Sequence, residues 1–188
     1  MTSTTKNLSL AAMFIAIGLV LPFITGQIPE IGRMLLPMHI PVLLCGLICG
    51  RRYGLIVGFI LPLLRGFMFG MPVLFPMGVS MAFELATYGF VIGWLYHSAK
   101  WQCVVSLYRS LIAAMVVGRI VWGVAMAVLL GLGGGAITWQ FFIGGALLNA
   151  IPGIVFQLIF IPTLMVALNK TGLVRFRTGR RAEVPSEA

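Results

Sequence analysis

The stretch IVWGVAMAVLLGLGGGAITWQFFIGGALLNAIPGIVFQLIFIPTLMVALN, residues 120–169, contains no Lys, Arg, Asp or Glu. One helix needs about 20 apolar residues to cross a bilayer, so this stretch has room for two crossings and a turn. The rest of the chain agrees, because 60% of its 188 residues are hydrophobic, 9% are charged and its mean hydropathy is +1.07. An ordinary soluble domain carries about 25% charged residues. The composition indicates an all-α integral membrane protein.

Glycine, proline and charged residues divide the chain into six apolar segments, each predicted to be a membrane-crossing helix. TGQIPEIGRMLLPMHIP, residues 25–41, is predicted to form a long external loop, and GLGGGAITWQ, residues 131–140, a turn. The predicted spans are about Leu8–Ile24, His39–Gly50, Leu55–Phe69, Met77–Tyr96, Leu111–Leu130 and Phe141–Leu168. We therefore predict a single six-helix membrane domain over residues 1–170 and a basic, polar tail over residues 171–188.

Basic residues indicate which side of the membrane holds the termini, because Lys and Arg accumulate at the cytoplasmic ends of membrane helices. With six crossings, both termini lie on one side and Arg33 lies alone on the other. The basic residues on the side of the termini are Lys6, Arg51, Arg52, Lys100, Arg109, Lys170, Arg175, Arg177, Arg180 and Arg181. We therefore expect cytoplasmic termini in a bacterial-type cell membrane. This topology and a role in attracting anionic lipid account for the net charge of +9. We therefore expect no nucleic-acid binding.

Three charged residues lie within the predicted spans: Arg65, Glu84 and Arg119. A charge at the centre of a bilayer costs at least about 2.5–3.5 kcal/mol, so each of them is expected to face protein or water and is a candidate site residue. The alternative is structural, with Glu84 forming a buried ion pair with either Arg65 or Arg119 that holds helices together. Both roles are compatible.

Aromatic and amide side chains accompany these charges on the last three spans. Tyr88 follows Glu84 by four residues and therefore shares its helix face, and Trp122 follows Arg119 by three. Asn149 lies just before a Pro-Gly pair, where loosened backbone lets a ligand approach. Packing alone is the alternative role of each aromatic side chain.

No catalytic, metal-binding or nucleotide-binding motif is recognisable. The chain has no aspartate and no Walker, GxSxG or HExxH pattern, and GLGGG lacks the lysine and the hydroxyl residue of a phosphate-binding loop. Cys45, Cys49 and Cys103 lie in or beside apolar segments, where free thiols pack as small hydrophobic groups. We expect no enzymatic activity of the chain alone, no metal and no cofactor.

The first span contains AAMFIA, residues 11–16, with Ala12 and Ala16 four positions apart. Spacing alone favours packing of these alanines against the protein's own helices. Together with the six short-looped helices, the long first external loop and LPMHIPVLLCGLICGRRYGLIVGF, residues 36–59, this pattern resembles the substrate-binding S components of energy-coupling factor (ECF) vitamin transporters. An Ala-x-x-x-Ala patch in that family docks the transmembrane T subunit, so the resemblance implies that Ala12 and Ala16 form this docking surface.

The resemblance implies a substrate-binding subunit that captures a small water-soluble vitamin or precursor outside the cell and delivers it with a T subunit and two ATPase subunits. It also implies a pocket between the last three helices, covered by the first and third external loops. The corresponding pocket residues are Glu84, Tyr88, Arg119, Trp122 and Asn149, with Arg65 a further candidate and Met34, Met38, His39 and Phe75 as lid residues. His39 has the alternative role of a polar group at a helix end.

Two other classes of protein stay open. A stand-alone secondary carrier or channel subunit for a small organic solute would use an intramembrane carboxylate for ion coupling, and Glu84 is the only acidic residue in the predicted spans. An intramembrane enzyme would need a nucleophile, a base and an orienting group placed together, and no such set is recognisable.

The charge of the pocket bears on the substrate. If Arg65 and Arg119 both face a site with Glu84, the site has a surplus positive charge. This favours a ligand with an acidic or strongly accepting group, such as a pantothenate-like molecule, over a cation such as thiamine. Neutral heteroaromatic vitamins stay open, because Tyr88, Trp122 and Phe75 offer rings for stacking.

Overall fold

A computed structural model describes residues 3–24, 37–132 and 151–170. The helices in these ranges are α1 (Ser3–Ile24), α2 (His39–Cys49), α3 (Arg51–Phe69), α4 (Val79–Ser98), α5 (Val104–Leu132) and α6 (Ile151–Lys170), with a π-helical turn (Leu74–Gly78) leading into α4. Five helical segments of the described chain are long and apolar enough to cross a membrane. The prediction of an all-helical, multi-pass membrane protein is therefore confirmed.

The helix boundaries follow the predicted spans most closely in the first half of the chain. The predicted spans leave residues 51–54, RRYG, as the turn between the second and third helices. In the structure Gly50 alone makes this turn, with a φ of 92°, and Arg51 already begins α3. A positive φ favours glycine, which has no Cβ to clash. α5 begins at Val104, ahead of the predicted Leu111, because hydropathy marks the membrane-embedded part of a helix and not its polar first turns. The predicted start of the sixth span at Phe141 lies outside the described residues.

The short helix α2 lies at the centre of the described bundle. Ten of its 11 residues are buried, and it packs against α1, α3, α4 and α6. A helix that is apolar on every side is stable when it is surrounded by other helices, which explains this position. Eleven residues extend about 16 Å at 1.5 Å per residue, less than the bilayer core of about 30 Å. The sixth crossing, and with it the shared side of the termini, stays a prediction.

Small residues let the central helices approach closely. Gly54 of α3 lies directly against Gly89 of α4, and a Cβ on Gly89 would overlap the Gly54 carbonyl group. Close backbone approach increases van der Waals contact, which drives helix association in lipid. α4 packs against α2, α3 and α5, so side chains on different faces of α4 reach three neighbouring helices.

Helix α1 has two distinct faces. Its buried face packs towards α2 and α3 and consists of Ala11, Phe14, Gly18 and Pro22. Ala12 and Ala16 lie on the exposed face, in line with the exposed Val20 four residues further on. Among the described residues, the predicted alanine patch is therefore open to the surroundings and is not covered by the neighbouring helices.

Candidate functional site

The candidate site is built around Glu84, which α4 places in the interior with 1% of its surface exposed. One helical turn further on, the Tyr88 hydroxyl donates a hydrogen bond of 2.9 Å to Glu84 Oε1. The spacing of four residues brings both side chains to one face, as the sequence predicts. The tyrosine thus fixes one oxygen of the buried carboxylate.

Arg119 on α5 forms an ion pair with the same carboxylate. The distance from Arg119 Nη1 to Glu84 Oε1 is 3.1 Å. Of the two pairs considered from the sequence, the described structure contains this one, and it holds no ion pair between Arg65 and Glu84. A buried ion pair offsets its desolvation penalty only when further hydrogen bonds satisfy the charged groups. Glu84 therefore connects α4 to α5.

His39, the first residue of α2, completes the polar cluster, by which we mean His39, Glu84, Tyr88 and Arg119. His39 Nε2 lies 3.8 Å from Glu84 Oε1, and the His39 and Tyr88 rings have centroids 5.3 Å apart. His39 is 1% exposed, and the preceding Met38 is also buried. The structure thus places two of the four proposed lid residues, Met38 and His39, at the buried start of α2, with His39 inside the cluster.

Several polar atoms of the cluster have no hydrogen-bond partner among the described residues. They are Nδ1 and Nε2 of His39 and Nε and Nη2 of Arg119. Leaving a buried polar group unpaired costs about 1–3 kcal/mol, and most buried polar groups in proteins have a partner. Unpaired polar groups inside a helical bundle are equipped to hydrogen-bond a polar ligand.

Gly118 was not predicted as a site residue but contributes to this region, and Gln157 is a further buried polar residue on α6. Gly118 lies against the Tyr88 ring, and a Cβ at this position would overlap that ring. Gln157 on α6 is 1% exposed, and its Nε2 has no hydrogen-bond partner within the described ranges. The available sequence signals were a glycine directly before Arg119 and an amide in an apolar span.

Arg65 lies apart from the polar cluster. Its Nη1 donates a hydrogen bond of 3.0 Å to the Leu19 carbonyl oxygen of α1. Its Cζ lies 5.4 Å from the centre of the Phe23 ring and 5.8 Å from that of Phe69. The guanidinium therefore joins α1 to α3. The surplus positive charge expected from two arginines does not form in the cluster, where Glu84 balances Arg119.

The remaining predicted site residues occupy other places. Trp122 is buried in a separate apolar cluster with Met126, and Phe75, in the turn before α4, is 55% exposed. Met34 and Asn149 lie outside the described residues. The structure therefore brings together Glu84, Tyr88, Arg119 and His39 of the predicted set.

A large apolar groove lies on another side of the bundle. It has a volume of about 1010 Å³ and runs between α1, α2 and α6. Lys6 and His97 lie at one end, and Met13 and Ile17 of α1 line its wall. No residue of the polar cluster lines this groove. The groove and the cluster are therefore distinct features.

The comparisons with curated proteins and with solved structures gave no match. Residues 6–165 match the family described as ECF transporter, substrate-specific component. The match spans all of the described helices except the ends of α1 and α6. It agrees with the apolar helical bundle and its buried polar cluster. The chain therefore belongs to the substrate-specific components of ECF transporters and is a substrate-binding subunit of such a transporter.

Proposed function

We propose that this chain captures a water-soluble vitamin or vitamin precursor from outside a bacterial-type cytoplasmic membrane for an ATP-driven importer. A transmembrane T subunit and two ATPase subunits complete the importer and supply the energy. The family supports a substrate-specific transporter subunit, and the kind of substrate is the finer part of the proposal. The orientation with cytoplasmic termini belongs to it as well.

The observation that carries the proposal is the set of unpaired nitrogen atoms in the polar cluster. Four nitrogens of His39 and Arg119 are buried without a hydrogen-bond partner among the described residues, beside a carboxylate already bound by Tyr88. A purely structural ion pair would have its donors satisfied by the protein. A bound polar solute would supply the missing acceptors.

We assign substrate contact to Arg119 and His39 and a supporting role to Glu84 and Tyr88. Asn149 remains a candidate from its sequence position. Trp122 and Phe75 remain candidates for stacking or closure. Arg65 is no longer assigned to substrate, because its guanidinium is bound to Leu19 and lies over two phenylalanine rings.

The T subunit is proposed to dock on the exposed face of α1 at Ala12 and Ala16. Both alanines are exposed, whereas Ala11 and Phe14 of the same helix are buried against the bundle. Small side chains let a partner helix approach closely in lipid, where close packing is a main source of helix association. The two faces of α1 thus separate internal packing from partner binding.

Pantothenate-like and neutral heteroaromatic vitamins both remain candidate substrates. The surplus of positive charge that favoured the former does not form once Arg65 is excluded. A cationic vitamin is disfavoured, because the unpaired Arg119 nitrogens carry hydrogens and lie in a positively charged guanidinium.

A binding screen tests the proposal. The purified full chain in lipid nanodiscs is titrated with the water-soluble vitamins and followed by thermal unfolding. A ligand at 100 times its dissociation constant stabilises the folded state by about 2.7 kcal/mol. We expect stabilisation by one vitamin, a smaller stabilisation at the same ligand concentration in Arg119→Ala, and an unchanged one in Arg109→Ala, an exposed arginine on the same helix. Stabilisation by no vitamin would contradict the proposal.

A further inference from the structure

The unpaired atoms of Arg119 define an edge with a specific geometry. Its Nη1 is engaged by Glu84 Oε1 at 3.1 Å, and its Nε and Nη2 have no hydrogen-bond partner among the described residues. In a planar guanidinium, Nε–H and Nη2–H point in nearly the same direction from one side. Glu84 thus occupies one nitrogen and leaves a two-donor edge available.

We infer that this site recognises a planar group with two adjacent hydrogen-bond acceptors on one edge, bound by Nε and Nη2 of Arg119. The inference rests on the proposed function and identifies the chemistry of its substrate. A carboxylate has such an edge and forms paired hydrogen bonds with arginine. A neutral heterocycle with adjacent ring nitrogen and carbonyl acceptors has one too, as guanine shows when arginine binds its N7 and O6.

Glu84 and Tyr88 are positioning residues in this arrangement. The Tyr88 hydroxyl holds Glu84 Oε1 at 2.9 Å, and the same oxygen holds Nη1 of Arg119. These contacts fix the orientation of the guanidinium plane, so the free edge is set before a ligand arrives. A preorganised fork loses less conformational entropy for each hydrogen bond that it forms.

His39 is the other residue of the polar cluster with unpaired nitrogens. Neither ring nitrogen has a hydrogen-bond partner in the described chain, and Nε2 lies 3.8 Å from the carboxylate that holds Arg119. A neutral imidazole has one donor and one acceptor nitrogen. Glu84 and Arg119 balance each other in charge, so the charge of the site does not select between an acid and a neutral heterocycle. Both ligands have the required edge, and binding measurements distinguish them.

Matched probe pairs test the edge. Pantothenate is compared with panthenol, which replaces the carboxylate by a hydroxymethyl group, and nicotinate is compared with nicotinamide. Riboflavin has two edges with adjacent acceptors, N5 with the C4 carbonyl and N1 with the C2 carbonyl, so it is compared with both 5-deazariboflavin and 1-deazariboflavin, each of which replaces the nitrogen of one edge by a CH group. Thiamine is the cationic probe. Dissociation constants are measured by calorimetry for the wild-type chain, for Arg119→Lys and for the matched control Arg109→Lys.

We expect the tightest probe to have the two-acceptor edge and to bind about 5- to 150-fold more tightly than its partner, as for a bidentate arginine contact worth about 1–3 kcal/mol. A lysine keeps the charge but has no planar fork, so Arg119→Lys should remove this preference and Arg109→Lys should retain it. If pantothenate or nicotinate is preferred, the ligand's edge is a carboxylate; if riboflavin is preferred, it is the edge of a neutral heterocycle.

Three results would overturn the inference while leaving the proposed function intact. The first is tightest binding by thiamine. The second is equal binding of the tightest probe and the analogue that lacks its two-acceptor edge. The third is an unchanged preference for the two-acceptor probe in Arg119→Lys. Binding of no vitamin in the wider screen would instead contradict the proposed function, and the inference would fall with it.

Discussion

Two arginines, the buried Arg65 and the partly exposed Arg119, lie in different parts of the bundle and have different surroundings. Arg65 joins α3 to α1 by donating to the Leu19 carbonyl oxygen and lying close to the rings of Phe23 and Phe69. Arg119 joins α5 to α4 through one nitrogen and leaves two others without a partner among the described residues. The first guanidinium is held by the chain, whereas the second has donors available for another molecule.

This difference divides the protein into two regions. The α1–α3 region contains the contacts of Arg65 with Leu19, Phe23 and Phe69, which we call the Arg65 clamp. The outer face of α1 in this region contains two exposed alanines. The α2–α4–α5 region contains the polar cluster. We expect the first region to serve stability and partner docking and the second to bind substrate. Changes in the two regions should therefore affect different measurements.

The largest effect is expected from bulk on the exposed face of α1. Ala12→Trp or Ala16→Trp should abolish uptake without weakening substrate binding, because the indole holds the partner helix away from α1. Uptake is measured in vesicles that contain the chain with its T and ATPase partners and ATP. Val116→Trp, an exposed position on α5, is the matched control.

Normal uptake by both alanine variants would refute the docking surface. Loss of folding in both would instead indicate that the alanines pack internally. Uptake by the chain in vesicles without the ATPase partners would support a stand-alone carrier.

The next effect concerns the carboxylate that positions Arg119. Glu84→Gln keeps an acceptor but loses the charge, and it should weaken substrate binding by about 1–3 kcal/mol as buried polar groups lose partners. Calorimetry with the vitamin identified by the screen measures this effect. Because the substitution also breaks the pair with Arg119, the melting temperature is measured in parallel. Unchanged affinity in a folded variant would assign Glu84 to structure alone.

Removing the clamp in the α1–α3 region should have a different consequence. Arg65→Ala loses the hydrogen bond to Leu19 and the two ring contacts, and we expect about 1–2 kcal/mol of lost stability, in the range of a desolvated cation–π contact. Thermal unfolding without ligand measures it, and Arg52→Ala, exposed on the same helix, is the control. A melting temperature equal to that of the control would show that the clamp contributes nothing.

The smallest effect is expected from the hydroxyl that holds the carboxylate. Tyr88→Phe retains the ring against Gly118 but loses the hydrogen bond to Glu84, which is worth about 0.5–1.5 kcal/mol. Affinity should fall by roughly two- to tenfold. Tyr108→Phe, at an exposed position on α5, should bind as the wild type does. An equal loss in both variants would contradict the positioning role.

Much of the helical fold follows from the sequence. Apolar runs separated by glycine, proline and charge predicted α1 to α4 closely, because hydrophobic length in a membrane is set by bilayer thickness. The start of α5 at Val104 was harder to predict. Its first turns contain polar residues such as Tyr108 and Arg109, so they are helical without being part of the apolar run. Spacing also predicted that Glu84 and Tyr88 share one helix face, where the structure shows a hydrogen bond between them.

The partners of the arginines were not predictable from one sequence. α3 and α5 both pack against α4, so Arg65 and Arg119 were each able to reach Glu84, and periodicity within one helix does not give its rotation relative to its neighbours. That rotation depends on close contacts such as Gly118 against Tyr88 and Gly54 against Gly89. The contribution of Gly118 and the position of His39 inside the cluster follow from the same packing.

The most direct test compares the two arginines in one titration. Substrate affinity is measured for Arg119→Ala and Arg65→Ala, using the vitamin that binds the wild type and variants verified to be folded. We expect Arg119→Ala to weaken binding by about 1–3 kcal/mol, because the ligand loses its hydrogen bonds to the guanidinium, and Arg65→Ala to bind as the wild type does. Equal affinities of the two variants, or a larger loss in Arg65→Ala, would contradict the assignment of the polar cluster as the substrate site.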